Sequence, residues 1–275
     1  MNFADVQSLV IPEGDVIQIL SGGITLWSKP SPPGPTIELP PSNEIWYQAT
    51  SQITNNFGSP TSHSYDSETG RGVLTYSSNL TLSSHINANA FKNNGSLQKI
   101  WWPASMTKWV GDCMHSCGNL KEIYAGSGLM EVSNGTCNGG TSPTYIHLVD
   151  NTYFYENDTG LVLKSDNVLY LGTYNLDIRN TPCTTLGNRC MADQDLAGAT
   201  LYFPDTMTGA DGDWYIGSSQ TFKAYTIYLP CTTAPNWTLR YIRGAITWHI
   251  PAVNSGYESW KTWTGSGNWT FIEDL

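Results

Sequence analysis

Short apolar bursts with an aromatic residue in the middle recur along this chain. Ile100-Trp101-Trp102 is one, and Ile123-Tyr124-Ala125, Ile146-His147-Leu148 and Leu169-Tyr170-Leu171 follow it at steps of 23 residues. After an insertion come Leu201-Tyr202-Phe203, Ile227-Tyr228-Leu229 and Trp248-His249-Ile250. Each triplet alternates with the period of a strand buried on one face. Proline follows four of them, at 103, 204, 230 and 251. It ends a strand because it has no N–H for the ladder. In the pair Trp101-Trp102 the two side chains must face opposite ways. Trp102 takes the core position and Trp101 the outer one.

The repeat is wider than the triplets. "NAFKNNGSLQKIWWP" places Phe91, Leu97 and Ile100 where "CMHSCGNLKEIYAG" places Met114, Leu120 and Ile123, with Asn94 opposite Cys117. A unit this short cannot bury its own apolar face, so its copies must stack. The expected fold class is mainly β with short helices, an irregular repeat solenoid plus a small N-terminal β segment. Three regions are expected. Residues 1–29 form a leader of short strands, Val6–Ile11, Val16–Leu20 and Ile24–Trp27, with Gly22-Gly23 as a hairpin turn. Residues 30–41, with six prolines in twelve positions, form a stiff linker. Residues 42–275 form the solenoid. Tyr257, Trp260 and Trp263 share one face of a short helix that caps it or, alternatively, makes an oligomer contact.

Composition narrows the choice of partners. Only 13% of residues are charged, the net charge is −10, and Lys and Arg do not cluster. Nucleic acid and anionic membranes both require clustered positive charge. No uncharged apolar run approaches the ~18 residues of a spanning helix. The first basic residue is Lys29, so no basic signal-peptide region is visible. The six cysteines, 113, 117, 137, 183, 190 and 231, are scattered and read as buried free thiols.

Catalytic, cofactor and metal motifs were sought without success. The five histidines lack H-E-x-x-H spacing. "AGSGLM" and "TGSGNW" lack the outer glycine of a nucleophile elbow. Asp205, Asp211 and Asp213 form an acidic loop without EF-hand spacing. The chain is therefore expected to be no enzyme and to need no cofactor.

With these motifs in view, the chain resembles the BspA-type leucine-rich repeats, whose unit runs roughly A-F-x-x-C-x-x-L-x-x-I-x-I-P. "NAFKNNGSLQKIWWP" matches with Asn94 in the Cys position, and "CMHSCGNLKEIYAG" keeps the Cys but loses the Pro. "PPSNEIWYQAT" is similar to the opening of such domains in gut-bacterial and phage proteins. "ITWHIPAVNSGYESWKTW" is similar to their closing strand and cap. The segment "VQSLVIPEGDVIQILSGGITLWSK" resembles leaders of structural proteins from phages of gut bacteria. These resemblances imply a non-enzymatic virion component, a fibre, decoration or adhesin part on the particle surface. Its partners would be other virion proteins through the leader and a host-surface glycan or protein, with a homo-oligomer open. The alternative is a bacterial cell-surface adhesin, and behind it an enzyme acting on polysaccharide. The candidate ligand face is the outward ladder Trp101, Tyr124, His147, Tyr170, Tyr202, Tyr228 and His249, expected as one column on one sheet. The competing account is that cross-strand aromatic pairs merely stabilise the sheet, at ~0.2–1 kcal/mol each.

Overall fold

The computed structural model describes residues 18–21, 24–28, 37–54, 56–80, 88–212, 216–217, 223–264 and 267–275. It divides into two compact units, Met1–Glu38 and Leu39–Leu275. In the first, β1 (Gln18–Ser21) pairs antiparallel with β2 (Ile24–Ser28). The strand expected at Val6–Ile11, the Gly22-Gly23 turn and most of the proline-rich linker lie outside the described residues.

The second unit is mainly β, with a β-solenoid of about seven turns from roughly residue 99 to 273. It opens with β3 (Glu44–Ala49), β4 (Ser62–Asp66) and β5 (Arg71–Thr75), lying in the order β3-β5-β4. β3 pairs antiparallel with β6 (Leu97–Trp101), the first solenoid strand. This three-stranded group thereby covers an edge that would otherwise offer unpaired N–H and C=O groups. Helix is nearly absent among the described residues: one turn of α1 (Glu258–Lys261) and a 3-10 turn at Leu239–Tyr241. The short cap expected from Tyr257, Trp260 and Trp263 is that single turn, with Trp263 beyond its end; Trp260 is buried against Trp237 and Trp248, and Tyr257 against Trp260.

Two further, shorter ladders run beside the first. The second comprises β7 (Lys108–Trp109) with β9 (Glu131–Val132) and, further on, β12 (Val168–Gly172), β13 (Thr185–Leu186) and β16 (Gly209–Ala210). Between these two groups, β11 (Gly160–Leu163) folds back antiparallel on β12. The third ladder joins β14 (Met191–Ala192) to β17 (Ile216–Gly217) and on to Ile242. Its corners turn on paired left-handed residues four apart: Asn89 and Asn93, Asp112 and Ser116, Gly135 and Gly139, Arg189 and Asp193. Side-chain-bearing residues adopt that region at a cost, and Asn and Asp carry much of it here.

The first ladder holds the predicted triplets. β8 (Glu122–Ala125) and β10 (Tyr145–Leu148) continue β6 in parallel. β15 (Thr200–Tyr202), β18 (Ala224–Tyr228), β19 (Ala245–Ile250) and β20 (Trp269–Glu273) form its later part. Alternation holds: Ile100, Trp102, Ile123, Ile146, Leu201, Phe203, Ile227, Leu229, Trp248 and Ile250 are all buried. So are the six cysteines, none in a disulfide. Burial pushes the thiols of Cys183 and Cys231 up to about 11. Asn94 Nδ2 and Cys117 Sγ both donate to the Phe91 carbonyl, at 3.0 and 2.9 Å. The two bonds are not equivalent: Asn94 reaches a carbonyl of its own turn, and Cys117 reaches back to the turn before.

Candidate binding face

Parallel in-register strands set equivalent side chains ~4.8 Å apart, which suits stacked rings. The first ladder uses this spacing twice. Trp101 stacks on Tyr124 with centroids 4.7 Å apart and planes 5° off parallel, and Tyr124 stacks on His147 at 4.6 Å. Further along, Tyr202 stacks on Tyr228 at 4.8 Å and Tyr228 on His249 at 4.1 Å.

The expected single column of seven is therefore two stacks of three, and Tyr170 belongs to neither. After His147 the chain inserts residues 157–159, where Ile146 N–H donates to the Asp158 carbonyl. The next rung is Leu176-Asp177-Ile178, with Asp177 paired in parallel to Tyr202. Leu176 and Ile178 are buried while Asp177 faces out, so this rung has the right alternation but no ring. Tyr170 sits on β12, in the other sheet, because the β11–β12 hairpin carries residues 168–172 away from the first ladder. Its hydroxyl donates to Asp166 at 3.0 Å, and burial together with that carboxylate pushes its pKa up to about 12. It lines a cleft of about 520 Å3 with Met130, Glu131, Phe154 and Leu163 among its neighbours.

Polar groups bracket each stack. Glu122 makes an ion pair with Lys99 at 2.8 Å and accepts the Tyr124 hydroxyl. Burial first, then that carboxylate, raises the Tyr124 pKa well above the ordinary phenol value. His147 lies 3.7 Å from Asp158 through Nδ1 and 3.8 Å from Glu122 through Nε2. In the second stack, the Arg179 guanidinium covers Tyr202 at 4.2 Å and is held by Asp177 at 2.6 Å. His249 Nδ1 sits 2.9 Å from the Asp274 carboxylate.

Trp46 on β3 is an outward aromatic residue that the repeat does not reveal. Its partner in register is Trp101, but the two indoles do not stack, and its Nε1 donates to Glu44 at 2.7 Å. The period-two pattern of Glu44–Ala49 is its sequence signal. Within each stack the central ring has both faces covered and each end ring has one, so rims and hydroxyls are most of what the sheet presents. A row of rims offers positive edges and hydrogen-bond donors rather than flat apolar plates.

No family model matches the chain, and no curated protein or solved structure does either.

Proposed function

We propose that the protein is a non-enzymatic recognition component of a bacteriophage virion that meets a host-surface glycan or protein through its first ladder. The observation that carries the recognition reading is the double ring stack, six outward aromatic residues held in two rigid rows. Stacked rings lose little entropy on contact, and solenoids use such extended faces for binding. The virion assignment rests on the likeness of the leader and of the repeat to phage proteins. The BspA-type reading of the solenoid gains support from the burial of the matched repeat positions, Phe91, Leu97 and Ile100 in one unit and Met114, Leu120 and Ile123 in the next.

Two measurements test this. Mass spectrometry of purified particles is expected to find the chain; its absence removes the virion assignment. Labelled protein carrying Tyr124→Ala and Tyr202→Ala together is expected to lose binding to host cells while staying folded by circular dichroism. Undiminished binding refutes the role of the ladder.

A further inference from the structure

A second cleft, of about 270 Å3, opens along the third ladder. Asp112, His115, Asn138, Arg189, Asp193 and Arg243 line it, with Ala192 as the apolar contribution. These residues come from turns far apart in the chain. Gly217 stands between Asp193 and Arg243 on the ladder, since Asp193 N–H donates to the Gly217 carbonyl and Arg243 N–H to the adjoining Ile216. Gly217 has no side chain to fill the space between them. Any Cβ there would also fall 2.4 Å from the Arg243 carbonyl oxygen.

Two features mark the cleft as built for a ligand. First, neither the Arg189 nor the Arg243 guanidinium has a hydrogen bond or ion pair among the described residues, whereas Arg179 is paired with Asp177 and Arg240 lies on Tyr241. Arg71 on β5 likewise has no side-chain partner among the described residues, but Arg189 and Arg243 both line one cleft, in a chain with 13 basic and 23 acidic residues. Second, Asn138 is 5% exposed and its Oδ1 accepts nothing, while its Nδ2 donates to Asp112 Oδ1 at 3.4 Å. That buried amide holds the Asp112 carboxylate at the cleft wall.

The charges select the ligand. A guanidinium fork matches a carboxylate in plane and spacing. Asp112 and Asp193 also face the cleft, so a bare anion meets two carboxylates. A ligand that carries a carboxylate for the arginines and a hydroxyl donor for Asp112 satisfies both sets. The volume falls just below the ~300–1,000 Å3 of drug-sized pockets, which suits one sugar ring. We propose that this cleft binds a single hexuronate unit, with its carboxylate on Arg189 and Arg243. The site lies on a different ladder from the ring stacks and does not depend on them.

The test is calorimetric titration of the full chain with D-glucuronate and D-galacturonate, with D-glucose and acetate as controls. At least one hexuronate is expected to bind, with both controls weaker by about tenfold or more. Arg189→Met and Arg243→Met are each expected to weaken it by about tenfold or more, and Arg71→Met, outside the cleft, to leave it unchanged. Should the arginine variants misfold, phenylglyoxal modification of the wild-type chain replaces them. Hexuronate is then expected to protect Arg189 and Arg243, mapped by mass spectrometry. Absence of saturable hexuronate binding, equal binding of acetate, or unaltered affinity in either arginine variant overturns the proposal. So does failure to protect those two arginines.

Discussion

The two ring stacks share one backbone register yet are secured differently. Trp101, Tyr124 and His147 are braced from the flank, by Glu122 on the strand of Tyr124 and Lys99 on the strand before it. Tyr202, Tyr228 and His249 are closed at the ends, by Arg179 over the first ring and Asp274 against the last. The ring spacings barely differ, 4.6–4.7 Å in one and 4.1–4.8 Å in the other. Stacking is thus a property of the parallel ladder. The charged residues around it set what each stack shows to solvent. The first presents a neutralised Lys–Glu pair, and the second an arginine and a carboxylate at opposite ends.

The sharpest way to break this comparison is to ask whether the rings matter to the fold at all. Beneath the outer rings lie Trp102 and Trp248, each almost wholly buried. Trp102→Ala and Trp248→Ala are each expected to cost about 3–5 kcal/mol, read as a shift in the urea midpoint. Trp101→Ala and Tyr228→Ala, which remove outer rings, are expected to cost about 0.2–1 kcal/mol per ring contact. Trp102→Phe is expected to be far milder than Trp102→Ala, because the buried Trp102 indole N–H has no hydrogen-bond partner to lose. Equal losses on the two faces would mean that the rings are core in all but position.

That division into inner and outer residues was legible in the sequence because burial imposes a period of two on every rung. The first stack followed from the 23-residue step, since nothing interrupts residues 97–148. The second followed from its triplets. Tyr170 was misplaced because the numerical step continued into a hairpin that had left the ladder. The true rung, Leu176-Asp177-Ile178, lies 25 residues before Leu201 and lacks an aromatic residue, so a search for rings passes over it. Arg179, Asp158 and Asp274 could not be assigned to the stacks from spacing, because each reaches its ring by a path set in three dimensions. Trp46 escaped for a related reason: β3 runs antiparallel and stands outside the repeat.

Acid titration sharpens the flank-versus-end distinction at a smaller energy. Burial works to raise the Glu122 pKa, but the Lys99 ammonium and the Tyr124 hydroxyl outweigh it and leave the carboxyl below its ordinary value. Asp177 is lowered too, chiefly by its hydrogen bonds from Arg179. A carboxyl with a depressed folded pKa contributes stability that is complete above its unfolded pKa. That stability is lost as pH falls through the folded value. Glu122 is the less exposed of the two, at 25% against 38% of its side chain, so solvent screens its interactions less. Glu122→Gln is therefore expected to flatten the loss of stability between about pH 5 and pH 3 more than Asp177→Asn does. Unfolding midpoints measured across that range decide it, and a larger effect from Asp177→Asn would reverse the ranking.

The smallest expected effect isolates one end of the second stack. The Arg179 guanidinium lies 4.2 Å from the Tyr202 ring centre and is more than half exposed. At such a site a cation over a ring contributes roughly 0.5–1 kcal/mol. The ion pair with Asp177 adds little, because water screens both partners. A double-mutant cycle of Arg179→Met with Tyr202→Leu separates the ring contact from the ion pair. A coupling of about 0.5–1 kcal/mol is expected from it. A second cycle, Arg179→Met with Tyr124→Leu, spans the two stacks and is expected to show no coupling, since their rings share no contact. Coupling near zero in the first cycle would leave Arg179 as Asp177's partner alone. The second stack would then be closed at one end, by Asp274, and its exposed Tyr202 face would stand open to a ligand.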